Sequence, residues 1–416
     1  MWILYQIALA LALTVAGPLL LLRRGRHYLP TLSGRLGGHE GRSVSRPLWL
    51  HAVSVGEVRV AATLTGVLPA DWPLLVTTVT PTGKEQARIM LATRASTAYL
   101  PFDLGFAVRR FLDRFAPRAL VLVEGDYWPL LLRQVRSRNL PVAVVNGRVG
   151  ERSFNRLRRF PRFARALLGG VDRFAVQTTD DRERLIALGV EPERVAVTGN
   201  LKFDAERPAP MPRVERLFEA VADSRPILIA GSTMGDEERQ VVEAFERAGG
   251  GTRAMLVIAP RHPERWHEVA QMVLRSDLEL ARRSELEPSQ RPDVVLLDSL
   301  GELAALYRLA HGAFVGGTLV PTGGHNPLEP AVHGVAVAVG PSMENFRQIA
   351  TEFDLADAWQ RVGDIDALAA FFSQAVSASA EFDAMAGRGR ELVEANRGAA
   401  ERTLAAIRPV IFEVMT

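Results

Sequence analysis

The sequence contains no cysteine, and only Lys84 and Lys202 are lysines among its 50 lysine and arginine residues. The absence of cysteine excludes disulfides, zinc sites built from thiolates and cysteine nucleophiles. Arginine supplies nearly all of the positive charge, yet the net charge is only +3.

Sequence patterns typical of metal sites and of serine hydrolases are also missing. There is no G-x-S-x-G nucleophile elbow, and the one Asp-x-Asp pair, Asp364 and Asp366, lies at a helix start near the carboxyl end. Pro327 separates His325 from Glu329 and places the two across a helix boundary. We therefore expect neither a metal ion nor a cofactor.

The amino-terminal end predicts a membrane anchor. Residues 2–22 form an uncharged apolar run of transmembrane length, followed directly by Arg23 and two further arginines. Because the charge follows the run, the pattern favours an uncleaved anchor over residues 1–26 rather than a signal peptide. The positive-inside rule then places the rest of the chain in the cytoplasm. A helix lying in the membrane interface is the alternative, because Gly17 and Pro18 can break the span.

The 416 residues, 48% of them apolar, predict a globular protein of two domains. Within the first predicted domain, residues 27–207, apolar runs predict strands at 48–53, 74–78, 119–123, 142–145, 173–177 and 195–198. Helices are predicted at 56–68, from 82 with Glu85 in the capping-box position, and at 180–188. Such alternation predicts a parallel sheet, in which ligands bind beyond the carboxyl ends of the strands. Polar side chains lie at those ends: Ser54, Glu57, Glu124, Asn146, Gln177 and Asn200.

Residues 208–212 form a proline-rich linker. After it, strands and helices alternate again in a second predicted domain, residues 208–416. Strands are predicted at 226–230, 254–259, 294–297, 313–315 and 335–339, with a helix from Asp236. Two Rossmann-like, doubly wound α/β domains suggest a cleft between them, as in GT-B type glycosyltransferases. Some epimerases and binding proteins share this layout, so it does not decide function. By analogy with this fold, the tail from about Glu391 is expected to pack back on the first domain.

Residues 316–330, GGTLVPTGGHNPLEP, form the most unusual stretch of the chain. Their glycine pairs allow a backbone to approach a ligand where a Cβ would clash. Asn326 as N-cap, Pro327 as the first helical residue and Glu329 at the third position predict a helix start. A glycine loop between a strand and a helix start is typical of a phosphate or sugar site.

The alternative is that Asn326 and Glu329 only cap each other. His325 and the second glycine pair favour a binding site, because a simple cap requires neither. Arg261 and His262 also lie between a predicted strand and a helix start, where an anion would bind.

Glu57, Glu124 and Lys202 are the candidate catalytic residues. Glu57 has capping-box spacing from Ser54, so it is either a structural cap or a general base whose pKa is raised by burial. Glu124 is the second carboxylate at a strand end. Lys202 is either a compact point charge retained for chemistry or an ordinary surface lysine.

A basic segment with interleaved phenylalanines, residues 152–173, suits an anionic lipid surface or a phosphorylated acceptor. The predicted contacts are Arg152, Arg156, Arg159 and Arg162. A solvated helix face is the bland alternative. Nucleic acid is a further option, but the predicted anchor favours lipid.

Six motifs in order resemble the Kdo transferases of Gram-negative bacteria. They are HAVSVGE (51–57), TPTG (80–83), GNLKFD (199–204), APRHPER (259–265), GGHNPLEP (323–330) and GPSMENFR (340–347). Members of that family transfer 3-deoxy-D-manno-oct-2-ulosonic acid (Kdo) from CMP-Kdo to the lipid A precursor of lipopolysaccharide at the inner membrane. The resemblance therefore implies a membrane-anchored, metal-independent, inverting transferase of the GT-B type.

The resemblance also implies roles for individual residues. Glu57 matches the general base, and Glu124 and Lys202 match residues that stabilise the transition state. The segments that match the CMP site supply these donor-binding candidates: Ser232, Pro260, Arg261, Leu300, Gly301, Glu302, Gly317, Gly324, His325, Asn326, Pro327, Leu328 and Glu329.

Three departures from the family pattern concern the acceptor and the number of sugars added more than the donor. E-T-E-L-W-P is replaced by EGDYWP, so that the second acid is Asp126. N-A-R-L-S is replaced by NGRVG, and G-S-T-H-E-G-E-E by GSTMGDEE, with Met234 in place of histidine. A related transferase that uses another nucleotide sugar, and an inactive lipid-binding scaffold, are the competing hypotheses. The sequence predicts no oligomeric state.

Overall fold

The computed structural model describes Tyr5, Leu11, Thr14, Val15 and residues 29–38, 46–204, 209–377 and 379–415. Apart from the four single residues, the predicted anchor over residues 1–26 lies outside this range. No helix within the described range is long and apolar enough to cross a membrane.

The chain divides into two compact units, one of Met1–Ala205 together with Asn396–Thr416 and one of Glu206–Ala395. Each unit contains a seven-stranded sheet in which all described strand pairs are parallel. The first sheet has the order β3-β2-β1-β4-β5-β6-β7, and the second has β10-β11-β9-β8-β12-β13-β14. The predicted pair of doubly wound α/β folds is therefore confirmed.

The strands of the first sheet are β1 (Leu48–His51), β2 (Leu74–Thr78), β3 (Ser96–Tyr99), β4 (Ala119–Val123), β5 (Val142–Gly147), β6 (Arg173–Val176) and β7 (Val195–Val197). Those of the second are β8 (Ile227–Thr233), β9 (Met255–Pro260), β10 (Leu280–Arg282), β11 (Val294–Leu296), β12 (Ala310–Val315), β13 (Ala336–Val339) and β14 (Gln360–Arg361). The central strands are uniform apolar runs, buried on both faces of the sheet, as expected when helices cover both sides.

The helices are α1 (Leu32–Arg35), α2 (Val55–Val67), α3 (Pro81–Met90), α4 (Gly105–Phe115), α5 (Pro129–Ser137), α6 (Glu151–Arg158), α7 (Pro161–Leu168), α8 (Thr179–Ala187), α9 (Pro212–Ala222), α10 (Glu237–Arg247), α11 (Trp266–Val273), α12 (Leu303–Leu306), α13 (Leu328–Ala331), α14 (Arg347–Leu355), α15 (Ile365–Ser377), α16 (Ala380–Asn396) and α17 (Ala399–Met415). The helix start predicted at Thr82 was wrong. Thr80, not Thr82, is the N-cap of α3, and its hydroxyl oxygen accepts the N–H of Gly83. Glu85 is exposed and pairs with Arg88 instead of completing a capping box.

The last helix, α17, packs on β5, β6 and α2 of the first unit. Asp204 fixes its start, because the two carboxylate oxygens accept the N–H groups of Gly398 at 2.7 Å and Ala400 at 2.5 Å. The buried hydroxyl groups of Thr403 and Thr198 are 2.9 Å apart. The turn that carries Lys202 lies between Thr198 and Asp204, so the first turn of α17 holds that turn in place.

Candidate active site

The carboxyl edge of the first sheet brings the three predicted catalytic residues together. The chain runs from β1 to β3 and returns to β4 beside β1, so the strand order reverses between β1 and β4. Glu57 lies in the first turn of α2 after β1, and Glu124 directly follows β4. Lys202 reaches the same edge from the turn after β7, with its Nζ 3.2 Å from Oε1 of Glu124. Ligands of open α/β sheets bind at such a switch point.

The carboxylate of Glu57 is part of a helix cap and also titrates near neutrality. Its Oε2 accepts the N–H of Val53 at 2.8 Å, and its Oε1 accepts the hydroxyl of Ser54, the N-cap of α2, at 3.2 Å. Burial raises the pKa of Glu57 to about 7, and the charges of Glu124 and Asp126 add to the rise. The hydrogen bonds from Val53 and Ser54 oppose it. The capping interpretation is therefore correct, and it leaves room for the catalytic one.

Glu124 is held in a left-handed backbone conformation with φ of 60°. Besides Lys202, its Oε1 faces the amide Nδ2 of Asn146 at 3.3 Å. Asn146 is buried, has φ of 52°, and accepts the N–H of Leu201 at 3.0 Å through Oδ1. Such backbones cost about 1–3 kcal/mol each for residues other than glycine, and they persist where surrounding contacts fix them. Asn146 thus joins the turns that carry Glu124 and Lys202.

Asp126 is a third carboxylate at this edge. Its Oδ2 accepts the indole N–H of Trp128 at 2.7 Å and lies 3.4 Å from Nε2 of the fully buried His51. The other ring nitrogen of His51 is 3.0 Å from the hydroxyl of Thr77. No role was predicted for His51 beyond its place in HAVSVGE, because the contact with Asp126 spans 75 residues.

In the second unit the strand order reverses between β8 and β12, and the glycine-rich segment follows β12. The fully buried Glu237 holds that segment. Its Oε2 accepts the N–H groups of Gly317 at 2.6 Å and Met234 at 2.8 Å, and its Oε1 accepts those of Thr318 and Leu319, both at 2.8 Å. Sequence reasoning missed Glu237, because helix-start patterning gives no sign of partners 80 residues away.

Close contacts explain two glycines of this unit, with backbone atoms at Gly316 and with a side chain at Gly231. A Cβ on Gly316 would lie 2.5 Å from the carbonyl oxygen of Ser232, and one on Gly231 would lie 1.9 Å from the hydroxyl of Tyr307. Ser232 itself has φ of 57°. The ends of β8 and β12 are thus in backbone contact at the switch point, with Ser232 partly exposed there.

The helix start predicted at Asn326 was placed too early. Pro327 occupies the N-cap position of α13, which is a single turn beginning at Leu328. Asn326 precedes the cap, and its Oδ1 accepts the N–H of Leu328 at 3.2 Å while its Nδ2 is 3.4 Å from Glu329. The segment is therefore a glycine loop closed by an Asn turn rather than a loop that feeds a long helix.

His325 contacts the residue that departs from the family pattern. Its Nε2 lies 3.3 Å from the sulfur of Met234. Gly324 precedes it with φ of 77°, and a Cβ there would lie 2.7 Å from the sulfur of Met343. Methionine at position 234 therefore places a soft, weak acceptor where the related motif carries a second imidazole.

Arg261 and Glu302 follow neighbouring strands, β9 and β11, at the same edge of the second sheet. Arg261 follows Pro260, the last residue of β9. Its side chain is exposed and forms no ion pair with any described residue. Glu302 accepts two hydrogen bonds from Arg283, at 2.8 and 2.9 Å, so its charge is already balanced. Before it, Leu300 is 76% exposed and Gly301 has φ of 87°.

The predicted arginine surface lies on α6, α7 and the turn between them, all of which follow β5. Arg152, Arg156, Arg159 and Arg162 are all exposed. Of the interleaved aromatic residues, only Phe160 is exposed, at 62%, whereas Phe154 and Phe163 pack against the core. The surface is therefore basic with a single protruding phenylalanine.

The structure thus groups Glu57, Glu124 and Lys202 at the edge of the first sheet. The predicted donor residues lie in the second unit, at or beyond the carboxyl ends of the neighbouring strands β11, β9, β8 and β12. Across the described parts of the chain, no cluster of three or more histidine, aspartate or glutamate side chains is arranged to hold a metal ion.

Comparison with known sequences gives one family. The profile described as 3-deoxy-D-manno-octulosonic-acid transferase (kdotransferase) matches residues 30–205. A 3-deoxy-D-manno-octulosonic acid transferase of Haemophilus influenzae is 32% identical over 396 residues, which cover 92% of each chain. One of Bordetella pertussis is 34% identical over 392 residues, which cover 91% of each chain.

Among solved structures, a UDP-GlcNAc 2-epimerase from Neisseria meningitidis bound to UDP-GlcNAc matches with a TM-score of 0.59. The match covers 88% of this chain and all of the epimerase chain, at 13% sequence identity. At that identity the likeness shows the fold alone.

We expect Glu237→Gln to destabilise the second unit, because the amide group would turn a donor toward backbone N–H groups that now meet oxygen. Leaving buried donors unsatisfied costs about 1–3 kcal/mol each, so the free energy of unfolding should fall by at least about 2 kcal/mol. Thermal and urea unfolding measure the change. Glu243→Gln, on the outer face of the same helix, is the matched control. Equal unfolding of the two variants would mean that Glu237 does not hold the loop.

Proposed function

The chain belongs to the family of 3-deoxy-D-manno-octulosonic acid (Kdo) transferases. On this premise we propose that it transfers Kdo from CMP-Kdo to the tetraacylated lipid A precursor, lipid IVA, at the cytoplasmic face of the inner membrane. The acceptor hydroxyl attacks the anomeric carbon of Kdo while the bond to the CMP phosphate breaks. One displacement of this kind inverts the configuration at that carbon.

The observation that carries the mechanism is the Glu57 carboxyl group. It is partly buried at the switch point of the first sheet, and its pKa is raised to about 7. A general base works best when its pKa lies near the working pH, because it is then ionised and still basic enough to take a proton. Glu57 therefore receives the proton of the acceptor hydroxyl in the proposed reaction.

The pair of Glu124 and Lys202 stabilises the transition state in this proposal. The negative charge of Glu124 favours the positive charge that develops on the sugar ring as CMP departs. Lys202, 3.2 Å from Glu124, holds that carboxylate in place. Asn146 fixes both groups through its contacts with Glu124 and with the N–H of Leu201.

The second unit holds the donor in this proposal. Ser232, Arg261 and the glycine loop around Gly317 lie at the carboxyl edge of its sheet. The exposed guanidinium of Arg261 is suited to take the phosphate charge that grows as CMP leaves. Because a protein cation fills that role and the donor sugar carries its own carboxylate, we propose that the transfer needs no metal ion.

The arginine surface of α6 and α7 supports contact with anionic lipid. Four exposed arginines and Phe160 together combine charge attraction with a shallow apolar insertion. In this proposal the surface orients the first unit toward its lipid acceptor, with residues 1–26 as the anchor.

Glu57→Gln should abolish CMP release from CMP-Kdo and lipid IVA while CMP binding is retained. The glutamine oxygen can still accept the N–H of Val53, so the helix cap survives, but the amide cannot take the proton. Removal of a general base lowers kcat by about 10²–10⁴-fold. CMP release and CMP binding are measured on both proteins, with the unfolding temperature as the folding control. Equal turnover of the two proteins would mean that Glu57 is only a helix cap. Release of the nucleotide from UDP-sugars but not from CMP-Kdo would favour the hypothesis of a related transferase that uses another nucleotide sugar.

The pH profile of kcat/KM should have an acid limb near pH 7. The base must be ionised, so activity falls as the pH drops below the raised pKa of Glu57. Glu124→Gln removes a negative charge that raises this pKa, so the limb should move to lower pH although the rate is reduced. If the acid limb of the Glu124→Gln profile did not move, the limb would not report the ionisation of Glu57.

Replacement of Arg152, Arg156, Arg159 and Arg162 by serine should weaken binding to vesicles that contain anionic lipid. Each arginine near such a surface contributes about 1 kcal/mol, and the effect should fade as salt rises. Vesicle sedimentation measures the loss. The same four positions changed to lysine keep the charge and serve as the control. If the serine and lysine variants bind equally, the surface is only a solvated helix face.

A further inference from the structure

The two lysines of this arginine-rich chain lie at the same edge of the same sheet. Lys202 follows β7 and pairs with Glu124 at 3.2 Å. Lys84 lies in the first turns of α3, which follows β2. In the strand order, β1, which leads to Glu57, lies between β2, which leads to Lys84, and β4, which leads to the Glu124 partner of Lys202. The role of Lys202 is accounted for by Glu124, whereas nothing in the mechanism uses Lys84.

Lys84 is half-buried, and no carboxylate of the described residues balances its charge. Its Nζ lies 4.2 Å from the centre of the Tyr99 ring, at the end of β3. No described residue forms a hydrogen bond or ion pair with the ammonium group. Burial lowers the pKa of Lys84, and no neighbouring charge contributes to the shift. The amino group is therefore partly removed from water, and no anion among the described residues stabilises its charge.

A second cation increases the positive potential at this place. The buried guanidinium of Arg35 lies 5.2 Å from the same Tyr99 ring and 5.6 Å from that of Phe102. Arg35 is held there by Thr31, whose hydroxyl oxygen is 3.0 Å from its Nε, and by the carbonyl of Val79. Tyr99 thus lies beside two cations. A cation–π contact attracts an ammonium to the ring face, but the ring carries no net charge and does not replace a counter-ion.

The backbone ties Lys84 closely to Glu57. Gly83, the residue before Lys84, lies where a Cβ would be 3.4 Å from the carbonyl oxygen of Val53. The N–H of that same Val53 is bound by the carboxylate of Glu57 at 2.8 Å. The first turn of α3 is therefore packed on the residue that positions the base. Lys84 therefore lies one residue from a backbone contact with Val53, whose N–H binds the proposed base.

We propose that Lys84 binds a phosphate group of the acceptor whose hydroxyl Glu57 deprotonates. The inference rests on the proposed function, because it takes Glu57 as the base. A partly dehydrated ammonium that has no partner among the described residues is suited to bind a dianionic phosphate. Hydrogen bonds from a charged donor to a phosphate are stronger than those to a neutral hydroxyl oxygen. A lysine is suited here because it presents a compact charge above a ring, where the planar fork of an arginine would stack instead.

Lys84→Ala should raise KM for the phosphorylated acceptor about tenfold, the size expected for loss of one hydrogen bond to a charged group, with kcat within twofold. With the dephosphorylated acceptor, wild type and Lys84→Ala should have the same KM. Lys84→Arg should recover part of the loss. The assays use CMP-Kdo and neutral detergent micelles, so that the acceptor carries the only phosphate besides the donor. Arg88→Ala, which removes an exposed cation one turn further along α3, should leave KM unchanged.

Binding of both acceptor forms to wild type and Lys84→Ala is also measured at equilibrium without donor, so that the inference is tested even if the transferase assay fails. Absence of CMP release by wild type would count against the proposed function, whereas the phosphate-dependent difference in binding would still support the role of Lys84. An equal loss for both acceptor forms, or a lower unfolding temperature with unchanged KM and binding, would make Lys84 a structural partner of Tyr99. If wild type and Lys84→Ala differed in binding only when phosphatidylglycerol was added, the anion would be a lipid headgroup rather than the acceptor phosphate. The proposal would then be wrong.

Discussion

Backbone N–H groups at the carboxyl ends of buried parallel strands need acceptors, and both sites of this protein are built from the side chains that supply them. In the second unit, Glu237 accepts four such groups and thereby shapes the glycine loop. In the first unit, Glu57 accepts the N–H of Val53 after β1, and Asn146 accepts that of Leu201. An unsatisfied buried donor is costly, so these polar side chains are fixed in place before any ligand arrives.

The same contacts maintain backbones that would otherwise be unfavourable. Glu124, Asn146 and Ser232 have φ near 60°. Glu124 and Ser232 lie at strand ends beside the two switch points, and Asn146 lies near the end of β5, the neighbour of β4. The chain tolerates this strain because hydrogen bonds and close glycine contacts on either side fix the backbone conformation. Fixed geometry is useful in a transferase, because groups that are already aligned need not reorganise as charge develops.

The fold was largely predictable from the sequence, and the misses have physical causes. The strand bounds predicted for β2 and β4 match the structure, because buried central strands are uninterrupted apolar runs. Strands β3, β10 and β14 were missed, since these edge strands are short, partly exposed and contain polar residues. The start of α13 was misplaced at Asn326, because an Asn turn before the helix uses the same residues as a cap.

The sequence by itself determined the alternation of strands and helices, the helix cap at Ser54 and Glu57, and the position of Glu124 at a strand end, because these features depend on neighbours within a few residues. It did not determine which of these residues meet. The ion pair of Glu124 with Lys202, the contact of His51 with Asp126 and the hold of Glu237 on the glycine loop join residues about 75–80 positions apart. The pKa of Glu57 depends on burial and on charges brought from β4. Only the tertiary structure decided these properties, because strand order, not chain order, sets the distances between the charges.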